Sequence, residues 1–210
     1  MKASCIVKLV AWCSLMLLVG CTAIGRSTIP VDTASSSPGT TVTLRGASHR
    51  LLGAPLKPGM RLPSISLVDA FAMKDVDLSQ MRGNVLFLSI VPSIDTKVCE
   101  AQTHYLGEQG ARLSPGIIRI TISRDTPFAQ KRFAMEAGLT NISYLSDYKE
   151  GAFGRATGLL VDGSMLLARA VVIVDRNGIV RYIQVVPELS HLPDMETAFR
   201  EAGELLNNRP

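Results

Sequence analysis

The chain has 210 residues, 47% of them hydrophobic, with 22 basic and 18 acidic side chains and a formal net charge of +4. The first twenty residues hold two of the lysines and no acid, so the remainder carries 20 basic and 18 acidic groups, a net +2. A body so close to neutral does not argue for a nucleic-acid partner, and its apolar content suffices for one ordinary globular core.

The chain opens "MKASCIVKLVAWCSLMLLVG". Lys2 and Lys8 make a basic start, and Val10 to Val19 is almost wholly apolar yet short for a bilayer span. That is the layout of a secretory signal peptide, expected over residues 1–20. It ends in Leu18-Val19-Gly20-Cys21, which resembles the lipobox of bacterial lipoproteins. The resemblance implies cleavage before Cys21, lipidation of that residue, and two acyl chains that would hold the domain at a membrane surface. Thr22 follows, with no aspartate to signal inner-membrane retention. The expected location is therefore the outer membrane, facing the periplasm, with a Gram-positive surface as the alternative.

Residues 21–40, with "TAIGRSTIPVDTASSSPGT", are small and polar and read as a flexible tether. The domain is expected over 41–210. "TVTLRG" and "HRLLG" predict an N-terminal β-hairpin, and "LKPGMRLPSISLVDA" a loop leading to another extended piece. "NVLFLSI" is a continuous apolar run, as for a strand buried on both faces. Thr96 to about Gly110 predicts a helix with Val98, Ala101 and Tyr105 on one stripe. "GIIRITIS" predicts a strand, and "TPFAQKRFAMEAG" a helix with Pro127 in its first turn and Gly138 at its end. "ISYLS" is a short strand and "YKEGAFGRATG" a short helix. "ARAVVIVDRNGIVRYIQVV" is a hairpin turning at Asn177-Gly178, and Pro193 to Leu206 a closing amphipathic helix. The order predicts an α/β sandwich with a mixed central sheet, of which the thioredoxin-like fold is one form.

The four cysteines are Cys5, Cys13, Cys21 and Cys99. If the first two leave with the signal peptide and Cys21 is lipidated, Cys99 is the sole free thiol of an exported protein. An odd cysteine there points to a reactive thiol or an intermolecular bond; the alternative is a small buried hydrophobe. Cys99 lies in "PSIDTKVCE", where a strand hands over to a helix. Asp95 or Thr96 can cap that helix. Cys99 then sits in the first turn, near unpaired N–H groups and the positive end of the helix dipole, which favour a thiolate. The Thr96 hydroxyl, three residues earlier, can lie on the same side, and Pro92 can screen the sulfur from water.

Pro-x-x-x-Thr-x-x-Cys after a buried strand resembles the peroxidatic motif of the peroxiredoxins, and "PSIDTKVC" is very similar to their thiol peroxidase subfamily. "SRDTPFAQKRF", "EAGLTNI", "LLARAVVIVDRNG" and the "VTLRG" hairpin resemble that subfamily in the same order. The resemblance implies a thioredoxin-like (peroxiredoxin) fold and reduction of hydrogen peroxide and organic hydroperoxides. Cys99 would be the attacking thiolate, Thr96 would orient the peroxide oxygens, Pro92 would shield the site, and Arg169 would stabilise the developing charge. No metal or organic cofactor is implied, and His49, His104 and His191 show no metal-ligand spacing. A homodimer is expected.

The chain departs from the pattern at Ala134, where most members of the subfamily carry a resolving cysteine. An external thiol or thioredoxin-like protein is then expected to reduce the sulfenic acid. The missing resolver also supports an alternative reading as a redox sensor or relay, and a silent binding lipoprotein is a third. The lack of C-x-x-C disfavours a disulfide reductase, and the lack of paired ligands disfavours a copper chaperone.

Overall fold

A computed structural model describes residues 28–207. The expected signal peptide, Cys5, Cys13 and Cys21 lie outside the described residues. Among those described, the elements in order are β1 (Val31–Asp32), β2 (Thr41–Leu44), β3 (Ala47–Leu52), β4 (Ser66–Asp69), β5 (Asp75–Asp77), β6 (Val85–Ile90), α1 (Lys97–Glu108), β7 (Ile117–Ser123), α2 (Pro127–Glu136), β8 (Ser143–Ser146), α3 (Ala152–Thr157), β9 (Leu160–Val161), β10 (Ala170–Val174), β11 (Val180–Val185), β12 (Leu192–Pro193) and α4 (Met195–Asn207).

Seven strands form the central sheet, in the order β11-β10-β6-β7-β8-β4-β5. Strands β6, β7 and β8 run parallel, and the flanking pairs are antiparallel, so the sheet is mixed as expected. Strand β6 is buried at every position. Its period-2 alternation sends Val85 and Phe87 to one face and Leu86, Leu88 and Ile90 to the other. The first face is covered by α1, α2 and α4, with Leu106, Ala134 and Phe199 in its core. The second face carries α3 and a smaller sheet of order β2-β3-β9, with Leu51, Phe153 and Leu167. Covering both faces is what makes the strand read as an unbroken apolar run.

The N-terminal hairpin forms as expected, with Arg45 (φ +51°) and Gly46 (φ +81°) in its two-residue turn. Gly53 then lets the chain pass against α3: a Cβ there would lie 1.9 Å from the Arg155 carbonyl oxygen. The second predicted hairpin is β10–β11. The Asp175 carboxylate accepts from the N–H groups of Asn177 and Ile179 and holds its turn.

Two expectations change. Residues 28–40, the second half of the expected tether, run along the domain instead: β1 pairs with β12, and Ser36 N donates to the Val185 carbonyl at 2.8 Å. Small polar residues gave no periodicity there because the attachment uses backbone groups and short polar side chains rather than an apolar stripe. In α1 the inward stripe is Cys99, Gln102, Thr103 and Leu106, all buried, while Val98, Ala101 and Tyr105 are half-buried. An apolar criterion missed that stripe because two of its members are polar and satisfied internally.

Candidate active site

The end of β6 and the start of α1 place Pro92, Thr96 and Cys99 within one turn of chain. Thr96 is the N-cap residue, in extended backbone (φ −118°, ψ 143°), but its side chain makes no bond to the helix N–H groups. Its hydroxyl instead donates to Cys99 Sγ at 2.9 Å, with the Ser93 carbonyl as a second acceptor at 3.3 Å. Cys99 is fully buried.

Arg169, just before β10, reaches the same sulfur from the other side. Its Nη2 lies 3.4 Å from Cys99 Sγ. Arg169 as a whole is 2% exposed, so it is not a surface residue. Its other bonds go to neutral acceptors. Nη1 donates to Gln102 Oε1 at 2.8 Å, and Nε and Nη2 donate to the Leu189 carbonyl at 3.1 and 3.0 Å. Among the described residues no carboxylate stands within ion-pair distance of it. A buried cation without a counter-charge is costly. Of its contacts, only the Cys99 sulfur can take up a negative charge. The sulfur therefore sits between an uncompensated positive charge and a hydroxyl donor, at the electropositive start of a helix.

Pro92, Thr96 and Arg169 also line one cavity of about 450 Å³, together with Leu44, Arg45, Val98, Leu166 and Leu189. Its walls are largely apolar. A water molecule's share of liquid volume is about 30 Å³, so the space admits a molecule far larger than hydrogen peroxide. All four residues expected at the site are thus brought together.

Three positioning groups were not anticipated. Gln102 links Arg169 to the sheet, its Nε2 donating to Ser89 Oγ at 2.8 Å. Its only signal in the sequence is an amide side chain one helical turn after the cysteine. Asp125 fixes the loop between Pro92 and Thr96: its carboxylate accepts from Ser93 Oγ at 2.8 Å and Ile94 N at 2.7 Å. It stands in "SRDTPFAQKRF", at the end of the next parallel strand, where only the sheet brings it beside residue 93.

Glu188 ties the hairpin tip to the loop that carries Leu189. It accepts from Thr43 Oγ1, from the backbone N–H of Arg45, and from both Ser190 N and Oγ. Partial burial alone would raise its carboxyl, but bonds from Ser190, Arg45 and Thr43 outweigh this and hold it at about 2. No signal in the sequence marks it.

Ala134, at the expected resolving position, is fully buried on α2 in the core cluster that contains Cys99. Cys99 is the sole cysteine among the described residues. Those residues hold no group of three or more His, Cys, Asp or Glu side chains placed to bind a metal.

The Redoxin family model matches residues 57–199. The thiol peroxidase of Halalkalibacterium halodurans is 40% identical over 165 residues, covering 79% of this chain and 98% of the relative. The thiol peroxidase of Bacillus subtilis is 36% identical over 166 residues, with the same coverage. Among solved structures, a peroxiredoxin-like protein from Aquifex aeolicus superposes with a TM-score of 0.75 at 32% identity, covering 82% of this chain and 99% of that one. The thiol peroxidase from Chromobacterium violaceum shares the fold at a TM-score of 0.68 and 23% identity, over 78% and 96% of the two chains.

Proposed function

The chain belongs to the Redoxin family, in the thiol peroxidase subfamily of the peroxiredoxins, and from that premise we propose that Cys99 is its peroxidatic residue and that it turns over with this one cysteine. As a thiol-dependent peroxidase it reduces a hydroperoxide at the expense of thiols. The observation that carries the assignment is the convergence of Thr96 Oγ1 and Arg169 Nη2 on a single buried sulfur.

The Cys99 thiolate attacks the terminal oxygen of the hydroperoxide. The S–O bond forms, the O–O bond breaks, and water or an alcohol leaves after taking a proton. Thr96 donates to the peroxide as its hydroxyl is released from sulfur. Arg169 faces the charge that spreads from sulfur to oxygen, and Pro92 keeps bulk water off the sulfur. The apolar walls of the cavity favour organic hydroperoxides beside hydrogen peroxide.

The sulfenic acid then condenses with an external thiol, releasing water and leaving a mixed disulfide. A second thiol frees Cys99 and departs as the disulfide. Cys99 has no exposed surface, so the first turn of α1 gives way to let the hydroperoxide reach the sulfur and opens further for a partner sulfur. The reductant is a small thiol or an exported thioredoxin-like protein. In the same reading Cys21 carries lipid, the protein faces the periplasm from the outer membrane, and two copies form a homodimer. Leu18-Val19-Gly20-Cys21 at the end of a signal-like segment supports the anchor.

The test is mass analysis of the peptide bearing Cys99 after one equivalent of hydrogen peroxide. It gains one oxygen, and Cys99→Ser abolishes both the gain and peroxidase turnover with a generic thiol. A peroxide-induced disulfide within the chain, or turnover that survives Cys99→Ser, would overturn the assignment.

A further inference from the structure

We propose that the segment Pro30–Ser36, which precedes the part of the chain matched by the family model, is a strap that sets the position of Arg169, with Asp32 as its positioning residue. The inference rests on the role given to Arg169 above.

Arg169 sends two of its donors to one acceptor, the Leu189 carbonyl. That carbonyl belongs to the loop between β11 and β12, so the placement of the guanidinium depends on this loop as well as on Gln102. Both ends of the loop are bound to the segment. At the start, Ser36 N donates to the Val185 carbonyl at 2.8 Å, and Val185 N donates to Ser35 Oγ at 3.0 Å. At the end, Leu192 N donates to the Pro30 carbonyl at 2.7 Å within the parallel β1–β12 pair. Gln184 Nε2, near the start of the loop, donates to the carbonyls of Asp32 and Ala34 in the segment at 2.6 and 3.0 Å.

Asp32 grips the loop itself, on both sides of Leu189. Its Oδ2 accepts from Glu188 N at 3.3 Å, and its Oδ1 pairs with His191 Nδ1 at 2.9 Å. One side chain of this segment therefore closes on the residues immediately before and two after the carbonyl that holds the arginine. A segment that merely covered the edge of β11 would need only its backbone bonds. The carboxylate of Asp32 does more, because it fixes the rotation of the peptides around Leu189. Catalytic geometry is steep: a misplacement of about 1 Å can cost about 100-fold in rate.

The experiment uses the full chain and follows Cys99 by the mass of its peptide. Two rates are measured, oxidation by hydrogen peroxide and alkylation by neutral iodoacetamide, in wild type, Asp32→Ala, Asp32→Asn, Arg169→Ala and the Asp32→Ala/Arg169→Ala double variant. Asp32→Ala is expected to slow oxidation about tenfold and alkylation by a clearly smaller factor, since alkylation needs only the thiolate whereas oxidation also needs Arg169 to face the charge spreading to oxygen. Asp32→Asn is expected to lose less, since its amide oxygen still accepts from Glu188 N. In the Arg169→Ala background Asp32→Ala should have no further effect, as expected of residues acting through one another. Should Asp32→Ala fail to fold, Asp32→Asn carries the same comparison with a smaller shift. Equal slowing of both reactions, an unchanged oxidation rate, or a full Asp32 effect without Arg169 would overturn the strap. Wild-type oxidation in Arg169→Ala would instead remove the role of Arg169, and the strap with it.

Discussion

Helices α1 and α2 each follow a parallel strand of the central sheet, and each starts at a threonine in extended backbone, Thr96 and Thr126. The Thr126 hydroxyl accepts from Ala129 N at 3.3 Å, an ordinary cap. The Thr96 hydroxyl turns away from its own helix and bonds Cys99 Sγ at 2.9 Å. The residue three places on decides the matter, cysteine in one helix and alanine in the other. A side-chain cap is worth about 1 kcal/mol, so α1 forgoes local stability to aim a donor at sulfur. Its first-turn N–H groups stay without a side-chain partner, which keeps the electropositive end of the helix facing the site.

The strongest way to break this contrast is Thr96→Val, which keeps the shape and removes the hydroxyl. Oxidation of Cys99 by peroxide is expected to fall about 100-fold, the usual consequence of losing one aimed donor, with the thermal midpoint nearly unchanged. An unchanged rate would reduce Thr96 to helix punctuation. Giving α2 a thiol as well, through Ala134→Cys, sharpens it from the other side. This variant is expected to lose two hydrogens on peroxide treatment, by forming a disulfide with Cys99, where the wild type gains an oxygen at Cys99. Persistence of the oxygen adduct would mean that α1 and α2 do not open far enough to meet.

The third test is Thr126→Ala. It should lower unfolding stability by about 1 kcal/mol in a denaturant titration and leave peroxide reduction as it was. A slowed reaction would show that the caps are not divided as described. The smallest effect concerns the loop that serves α1 and has no counterpart at α2. Glu188, held at about 2 in the fold against an ordinary 4.5, stabilises the folded state above pH 4.5. That contribution is lost as pH falls toward 2. Glu188→Gln, without it, should show a flatter loss of stability across that interval in acid-unfolding curves.

Much of this molecule was legible in the chain itself. Strand β6 announced its two-sided burial by an unbroken apolar run, and β10–β11 announced its turn by Asn177-Gly178. The Pro92, Thr96 and Cys99 set was readable because all three lie within eight residues, so local geometry alone brings them together. Arg169 was named through a resemblance and not through its surroundings; nothing local distinguishes it from a surface arginine. Gln102 and Asp125 were passed over because a polar residue in a helix or at a strand end looks solvated until the partner that buries it is known. Residues 30–36 were misread because their attachment is made by backbone groups, the Ser35 hydroxyl and the Asp32 carboxylate rather than by apolar side chains.

The sequence by itself determined the main elements of the domain, their order and which sulfur is proposed to react, since these depend on periodicity, turn residues and neighbours a few positions apart. Only the tertiary structure decided what surrounds that sulfur. The contacts among Arg169, Gln102, Leu189, Glu188 and Asp32 join positions far apart in the chain. The desolvation that leaves the arginine facing sulfur as its one ionisable partner exists only once the sheet, the hairpin and the N-terminal segment have closed around it.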